Sequence, residues 1–457
     1  MKTHLLLSIC LLFTTQLFLH PTTSTPTSLT YYISNHHLPN TTQCGLSEQT
    51  PCFTLRQVFA SVHPIIQQMI HSQQNDSLLQ LDLNIMVLED LIEGSDYHCE
   101  IPFGFDTGVK NVEIDLVIRG FPEGRRKRVS CLWWDVVSVP LFDSRYNTLI
   151  RSTRLFWIDL DNIANCFVEI GNCALVESSI LCSDRDILVS QSHLELTQVK
   201  SDTGGRVEFF NTSFSFSSIE LSRYMDVISL NHASLSETTI HIKNSGVFLL
   251  NNSIVTCGNQ IDFSAMQKIH IDHTQFIFGS TPKVSYPYNM YGNLILNVTI
   301  THSHFTQHIH RAMWIFNSVD YFGMKHVTIE NNHVTTEQSS PFIVKVVNTL
   351  EMFDIVCRNN TGGCVKVENG QSVFVRGCEF TENTCDNSDG GALHIDANLL
   401  VVNESTFSNN FASKGGAIFT TAKTFLSNST FEWNSANLSG GAFYQDIPKD
   451  GNSQVVY

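Results

Sequence analysis

The chain has 457 residues, of which 42% are hydrophobic and 15% are charged, and its formal net charge at pH 7 is −16. This charge argues against nucleic acid and anionic membrane surfaces as partners, because both require a basic binding face. The length would suit two or three globular domains, but a repeat protein escapes this limit because each repeat contacts only its neighbours.

The N-terminus has the layout of a secretory signal peptide. Lys2 precedes an apolar run from Leu5 to Leu19, and residues 21–30 are rich in Pro, Thr and Ser. We predict a signal peptide over residues 1–24, with an uncleaved N-terminal anchor as the alternative. The apolar run is short for a membrane span, and no second run of membrane length follows. We therefore expect a protein that is secreted or held on the extracellular face of the cell surface.

The cysteines and the glycosylation sequons agree with export. Of 13 cysteines, Cys10 lies in the predicted signal peptide, which leaves an even number for disulfides in an oxidising compartment. Asn-x-Ser/Thr sequences without proline are acceptors for N-linked glycans in exported proteins. They occur at Asn40, Asn75, Asn211, Asn251, Asn297, Asn359, Asn403, Asn428 and Asn437.

The C-terminal part of the chain contains a repeated pattern, Phe-x-x-Asn followed by Gly-Gly-Ala and an apolar residue. Copies begin at Phe380, Phe407 and Phe431. Positions seven and five before the Phe are usually apolar, and the position two before it is usually small. Extended up the chain with a period of about 24 residues, this frame predicts inward-facing reference residues at 194, 214, 235, 254, 276, 305, 334, 357, 380, 407 and 431.

A short alternating strand in each copy predicts the coils of an all-β solenoid, a right-handed parallel β-helix, whose strands stack at ~4.8 Å. One coil buries roughly four apolar side chains, too few to be stable alone, so stacking is obligatory. An antiparallel β-sandwich is the alternative, but it does not require a fixed period. We predict an N-terminal strand, loop and capping helix over 25–105, irregular coils over 106–186, regular coils over 187–447, and a tail over 448–457.

The repeats resemble those of the chlamydial polymorphic outer membrane proteins and their eukaryotic relatives in the pectin-lyase-like β-helix class. The close resemblance covers about residues 357–444, with Gly362-Gly363-Cys364 as a degenerate first copy. It implies a parallel β-helix of the pectin-lyase-like kind. The rest of the chain shares the register of these repeats but not their motif.

A second resemblance lies near the N-terminus. The segments Tyr31-Tyr32-Ile33-Ser34 and Thr50-Pro51-Cys52-Phe53 are similar to the opening of many extracellular β-helix proteins, where a first strand leads through a loop into a capping helix. Apolar residues then recur at helical spacing from Leu55 to Ile70. This pattern predicts an amphipathic helix that covers the open end of the core.

Disulfides are expected at both ends of the chain. We predict one across the loop between residues 44 and 52, and pairing in neighbouring coils among four cysteines, for which three connectivities are open. Zinc binding through these cysteines is an alternative, although the sequence contains no Cys-x-x-Cys. The candidates for disulfides are Cys44, Cys52, Cys357, Cys364, Cys378 and Cys385.

Four histidines occupy outward positions in the repeat frame. His273 and His302 both lie three before their reference residues, and His304 and His333 both lie one before. Stacked coils would hold each pair about 5 Å apart, a spacing that suits zinc or copper ligation, or repulsion on acidification. The alternative is a row of solvated polar residues. We expect weak zinc binding at most and no cofactor.

The same frame groups several glycosylation sequons. Asn211, Asn251 and Asn428 are assigned to the position three before the reference residue, with Asn403 beside it. Glycans would then decorate one outward edge of the rod, and a binding surface should avoid that edge.

Many pectin-lyase-like proteins cleave acidic polysaccharides, so the resemblance also implies catalysis as an alternative function. The inverting glycosidases of this class use an Asp-Asp pair and a Gly-His-Gly, and this chain has neither. Trp157-Ile158-Asp159 resembles a pectate-lyase segment, which makes Asp159 a catalytic candidate, but Leu160 replaces the histidine expected next. We favour a non-enzymatic extracellular or cell-surface protein for adhesion, carbohydrate binding or display, with glycans or other extracellular surface ligands as partners. A polysaccharide lyase or glycoside hydrolase is the alternative.

Overall fold

A computed structural model of the chain describes short stretches between residues 27 and 171 and, more continuously, residues 173–446 together with 455–456. Within 173–446 the gaps are 172, 183–185, 202–204, 223–224, 257, 278–289, 308–313, 335–339 and 387. Most of the described residues are in strands, and very few are helical. None of their helices is both long and apolar enough to cross a bilayer.

The chain winds into a parallel β-solenoid in which each coil contributes strands to three faces. In one coil these are Ser213–Ser215 on the first face, Ser218–Ser222 on the second and Val227–Asn231 on the third. Each strand pairs in parallel with the strand of the next coil. Cys173 bonds to Ser192, 19 residues on, and Thr274 to Ser303, 29 residues on. These two separations lie on either side of the predicted period of about 24 residues.

The first face is built from short strands whose central side chain enters the core. Gly104–Phe105 is added to it in antiparallel orientation against the start of Thr148–Phe156. The parallel strands of this face are Thr27–Ile33, Leu79–Val87, Val112–Gly120, Thr148–Phe156, Cys173–Val176, His193–Glu195, Ser213–Ser215, Ser234–Ser236, Ile254–Val255, Gln275–Ile277, His304–Thr306, Thr328–Glu330, Val356–Arg358, Glu379–Thr381, Thr406–Ser408 and Thr430–Glu432.

The second face pairs strands that follow the first-face strands along the chain. Four strands are long enough to continue from the second face onto the third: Gln260–Asp272, Met290–Thr301, Val365–Arg376 and Leu393–Asn403. The other second-face strands are Leu91–Ile92, Lys127–Ser130, Ile158–Asp161, Ser179–Cys182, Gln198–Ser201, Ser218–Ser222, Thr239–Lys243, Trp314–Phe316, Phe342–Val344, Ile418–Thr420 and Phe443–Gln445.

The third face leads back to the first face of the following coil. A small extra sheet of Thr384–Cys385, Phe411–Lys414 and Ser435–Ser439 lies between the first and second faces of the last coils. The other third-face strands are His98–Ile101, Trp133–Val137, Phe167–Gly171, Ile187–Ser190, Arg206–Phe210, Val227–Asn231, Val247–Asn251, Val319–Lys325, Val347–Phe353, Lys423–Ser427 and Val455–Val456.

The predicted reference residues are confirmed as first-face core positions in nine coils and wrong in two. Val255, not residue 254, aligns with Leu235 and Phe276, and Ile254 is 44% exposed. In the later coil Ile329, not Val334, aligns with Phe305. Successive strand residues face opposite sides, so a one-residue slip exchanges inside for outside.

A left-handed residue marks the corner between the third and first faces in every regular coil. We call these residues, three before the aligned core residue, the corner row. Their amide groups bond to the next coil, as in His273 N to Thr301 O at 3.1 Å. The non-glycine members have φ between 45° and 54°, and are Gln191, Asn211, His232, Asn252, His273, His302, His326, Asp354, Glu404 and Asn428.

The core of the solenoid is a column of stacked side chains. The rings of Phe380, Phe407 and Phe431 stack at 4.8 Å between successive centroids, within 9° of parallel. Phe276 and Phe305 stack at 4.5 Å, and Trp314 packs edge-on against both. Aligned aromatic rings on one face therefore fix the coils in register as well as bury area.

Asparagines that follow the Phe of the repeat form a buried ladder. Asn383 donates through Nδ2 to the Asn410 side chain at 3.0 Å and to the Cys357 carbonyl at 2.9 Å. Its Oδ1 accepts from Asn360 Nδ2 at 2.9 Å. Asn410 continues the ladder to Asn434. The Asn of Phe-x-x-Asn is thus selected because its amide satisfies backbone groups inside the rod.

The Gly-Gly-Ala segment bends the chain where neighbouring coils touch. Gly415 has φ +59°, which a side chain would strain. A Cβ on Gly416 would lie 2.0 Å from the Gly441 carbonyl of the next coil. Ala417 follows as a fully buried residue. The motif is therefore required because the backbones of neighbouring coils are in close contact at this position.

The N-terminal helix and the disulfides can be followed in part. Described residues between 57 and 65 are helical, and Val58 and Val62 are buried in the core; that this helix caps the solenoid stays a prediction. Cys44, Cys52, Asn40 and Asn75 lie outside the described residues, as does the predicted signal peptide.

Cys357 and Cys364 form a disulfide, one of the pairings expected among the four C-terminal cysteines. The prediction is wrong for the other two, since Cys378 and Cys385 are buried thiols. Cys378 occupies a small core position, and Ser405 occupies the same position in the next coil. The backbone amide of Cys378 donates a hydrogen bond to the Ser405 hydroxyl. Burial raises the pKa of Cys378 to about 11.

Replacing Asn383 by Ala should lower the free energy of unfolding by about 3 kcal/mol, because it leaves several buried groups without partners at ~1–3 kcal/mol each. Asn398→Ala, on the exposed surface with one side-chain bond to Gln371, is the control and should change stability by under ~0.5 kcal/mol. Thermal and denaturant unfolding of both variants is the measurement. Equal melting points for the two would contradict a structural ladder.

Candidate functional site

The candidate site is built on three consecutive histidines of the corner row, His273, His302 and His326, which we call the histidine row. The His273 and His302 rings stack with centroids 4.6 Å apart, and those of His302 and His326 with centroids 5.0 Å apart. All three side chains are between 39% and 56% exposed. The left-handed corner turns these rings outward, since the preceding and following strands carry the core side chains.

Asp272 connects two of these histidines. Its Oδ2 lies 2.8 Å from His273 Nδ1, and its Oδ1 lies 3.1 Å from His302 Nδ1 in the next coil. Thr301 donates its hydroxyl to the same Oδ1 at 2.6 Å. Burial raises the pKa of Asp272, but the hydrogen bonds from Thr301, His273 and His302 outweigh it and lower the pKa to about 2. The carboxylate is therefore ionised throughout the physiological range.

Further acidic groups lie beside the row. His326 Nδ1 is 3.4 Å from Asp354 Oδ2, and Asp354 is itself the corner residue of the next coil. On the first face, His304 Nε2 lies 2.9 Å from Glu330 Oε1. Burial raises the pKa of Glu330, yet its bonds to Arg358 and His304 lower it overall. Imidazole and carboxylate groups thus alternate along this edge.

The structure corrects the histidine pairing expected from the sequence. His273 and His302 stack as predicted. His304 aligns with Thr328 instead of His333, and His333 bonds to Thr361 Oγ1 at 2.9 Å. The error follows from placing the reference residue at 334. With Ile329 as reference, the sequence itself assigns His326 to the row, so correct alignment of this one coil would have found it.

The sequons occupy two neighbouring outward positions. Asn211 and Asn428 are corner residues and exposed, as predicted. Asn251 is one position earlier, aligned with Asn231 and Asp272, so its assignment to the corner was wrong. Asn403 holds that same earlier position in its own coil. Among the other described sequons, Asn359 and Asn437 are exposed and Asn297 is half-buried.

The catalytic candidate Asp159 lies in the second-face strand Ile158–Asp161, and its backbone aligns with Arg128 and Ser179 of the coils on either side. Its side chain lies outside the described residues. A second acidic group occurs further along this face. His241 aligns with Glu220 and Asp262, and its Nδ1 is 3.0 Å from Asp262 Oδ2. Burial raises the pKa of Asp262.

Comparison with protein families matches a segment of the last coils. The model of the Chlamydia polymorphic membrane protein repeat fits residues 404–421, which include Phe407, Asn410 and the Gly-Gly-Ala turn. The chain is a parallel β-helix with polymorphic-membrane-protein-type repeats. Searches of curated proteins and of solved structures found no match. The matched segment holds the stacked Phe, the buried Asn ladder and the inter-coil glycine contact, and it lies several coils away from the histidine row.

The Asp272 carboxylate should stabilise the fold at neutral pH. Its pKa is depressed on folding, so the contribution is present above the unfolded value near 4 and is lost as pH falls toward 2. We expect Asp272→Ser, which removes the carboxylate without creating an Asn-x-Ser/Thr sequence, to lower stability at pH 7 by about 1 kcal/mol, after allowance for solvent screening. The difference in unfolding free energy between the variant and wild type should narrow between pH 4 and the lowest pH at which the protein stays folded.

Thermal unfolding across this pH range is the measurement, with the exposed Glu432→Gln as a control for loss of one charge. A difference in unfolding free energy between Asp272→Ser and wild type that is constant with pH would contradict the role assigned to the Asp272 carboxylate.

Proposed function

We propose that this chain is an extracellular or cell-surface rod that binds carbohydrate through its outward side-chain rows. The observation that carries the proposal is a row of apolar and aromatic side chains on the outside of the third face. Phe374, Val401 and Phe425 align directly in three successive coils. A repetitive ligand can follow such a row, because the coil spacing of ~4.8 Å repeats along the rod.

The chemistry of this row suits sugars. Phe374 is 38% exposed although its ring is apolar. Aromatic faces pack well against the apolar C–H face of a pyranose ring and bury large areas with little loss of conformational freedom. The neighbouring coils therefore present a sugar-stacking surface, which we call the aromatic row.

Cationic groups border the aromatic row. Arg376 follows Phe374 by two residues on the same side of the strand and is 60% exposed while paired with Glu404. Lys423 Nζ lies 5.2 Å from the centre of the Phe425 ring. These cations would favour glycans that carry carboxylate or sulfate groups, despite the negative charge of the whole chain.

Location at the cell surface is supported by the repeat. The matching family is described as a membrane protein of Chlamydia, and the nine sequons of this chain suit an exported protein. A glycan on Asn403 would lie beside Val401, two residues away on the same face. Access to the aromatic row therefore depends on whether Asn403 is modified.

Glycan-array binding of the secreted chain tests the proposal, with and without enzymatic removal of N-glycans. Phe374→Ala should weaken binding about 5- to 10-fold, the loss expected for ~1 kcal/mol of stacking. Phe210→Ala is the matched control, since Phe210 is a 48% exposed third-face residue in a distant coil. No bound glycan in either preparation, or equal losses in the two variants, would contradict the proposal.

Polysaccharide cleavage is a second candidate, favoured by the acidic row on the second face. Glu220 and Asp262 are two coils apart with His241 between them, which puts their backbones roughly 9.6 Å apart at ~4.8 Å per coil. Inverting glycosidases hold their carboxyl groups about 6.5–9.5 Å apart, a distance between side chains and not between backbones. The Asp262 carboxylate lies 3.0 Å from His241 Nδ1 and so leans toward the coil of Glu220, which brings the two carboxyl groups closer together than their backbones. The raised pKa of Asp262 is what a general acid requires.

If the chain cleaves polysaccharide at this row, Asp262→Ala should reduce turnover by at least about 100-fold, the contribution typical of general acid catalysis. Reducing-sugar release and formation of unsaturated products are measured on acidic and neutral polysaccharides. Asp159→Ala in parallel separates the two acidic positions. Turnover that survives Asp262→Ala and is lost in Asp159→Ala would move the reaction to the other coil.

A further inference from the structure

We propose that Asp272, His273 and His302 form a binding site for a divalent transition-metal ion of the Zn²⁺ type. Each residue offers one ligand atom, and these atoms lie within 4.8 Å of one another. Two imidazole nitrogens and one carboxylate oxygen match the ligand preferences of Zn²⁺, and they leave a fourth position for water or a further ligand. The site is independent of the aromatic row and of the carbohydrate proposal.

The carboxylate is already placed and charged for this role. One Asp272 oxygen faces each of the two imidazole Nδ1 atoms, at 2.8 and 3.1 Å. A metal ion would take the place of the protons that now join these groups. Thr301, which donates to Asp272 at 2.6 Å, is the outer hydrogen bond that orients a ligating carboxylate.

The solenoid holds the two histidines in place. Both are corner residues with left-handed backbone, φ 47° and 45°, and both bond through their amides to the next coil. Their spacing is therefore set by the stacking of the coils and not by a flexible loop. Because coil stacking is the most regular part of the fold, the ligands need little backbone ordering when an ion binds.

Side-chain rotation is the remaining requirement. The two rings are stacked within 19° of parallel, so their in-plane nitrogen lone pairs do not yet converge on one point. Zn–N distances of about 2.0–2.1 Å require at least one ring to turn. The rings are 56% and 46% exposed, which leaves room for that turn.

His326 packs beside the site. Its ring stacks on His302 at 5.0 Å and its Nδ1 lies 3.4 Å from Asp354. The clustered ligand atoms are those of Asp272, His273 and His302, so His326 supports the His302 ring by packing and is not one of the ligands.

The fold provides matched variants for a test. Gln occupies the corner position at Gln191, so His302→Gln keeps a residue that this left-handed corner accepts, and it creates no Asn-x-Ser/Thr sequence. His232 is the control: it is a corner histidine with φ 54°, but Asn252 separates it from the histidine row and its ring lies against Phe210. His232→Gln therefore removes an imidazole from the same edge without touching the site.

Titration calorimetry with ZnCl₂ at pH 7.5 is performed on the full secreted chain, purified without a histidine tag and freed of metal with chelator. We expect one ion per chain in the wild type and in His232→Gln. Asp272→Ser and His302→Gln should each weaken binding by at least about 10-fold, the loss typical when the ligand set of a metal site is disturbed. His326→Gln, which removes a ring packed on His302 but none of the three ligands, should weaken it less.

Zinc-dependent stabilisation gives a second readout. An ion that binds only the folded chain raises its melting temperature, so Zn²⁺ should shift the melting temperatures of wild type and His232→Gln upward and leave that of His302→Gln unchanged. Melting curves without metal verify that each variant is folded. The proposal is overturned if His302→Gln and Asp272→Ser bind Zn²⁺ like wild type, or if His232→Gln loses as much affinity as they do. Neither readout involves glycan binding, so failure here leaves the carbohydrate proposal standing.

Discussion

The stacking of one coil on the next is the constraint on which the rest of this structure depends. In the described coils from Gln191 to Glu404, the chain leaves the third face through a residue with left-handed backbone, and the amide of that residue bonds to the next coil. A β-branched or bulky residue pays for such a backbone in strain, whereas Asn, Asp and His tolerate it better. The composition of the corner row therefore follows from backbone geometry before any function is considered.

The same constraint explains why chemistry collects along the corner. Residues that suit a left-handed corner carry amide, imidazole or carboxylate groups, and they are repeated at one-coil spacing with their side chains outward. Three adjacent coils happen to hold His273, His302 and His326, and the preceding residue of the first coil is Asp272. Stability and ligand binding thus draw on one set of positions. Inside the rod, the corresponding rows are aromatic rings and the Asn ladder, which have a structural role.

Much of the fold could be predicted from the repeat alone, because inward Phe, buried Asn and Gly-Gly-Ala each report a contact between coils. Prediction failed where local residues supported two registers. Asn251 and Asn252 are adjacent and either could occupy the corner, and Val327, Ile329 and Val334 offer two alternating frames. These slips left His326 unassigned to the row and misplaced His333. The Cys357–Cys364 disulfide could not be predicted from the sequence, since spacing alone cannot choose among pairings.

The most direct test of a continuous solenoid is the distance between labels placed on equivalent residues of different coils. Ser213 and Thr406 occupy equivalent outward positions on the first face, eight coils apart through successive aligned strands. Paramagnetic labels attached there through non-natural amino acids should lie roughly 38 Å apart by pulsed dipolar spectroscopy, and labels at Ser213 and His304, four coils apart, roughly 19 Å apart. Distances that do not scale with the number of coils would contradict a continuous parallel solenoid.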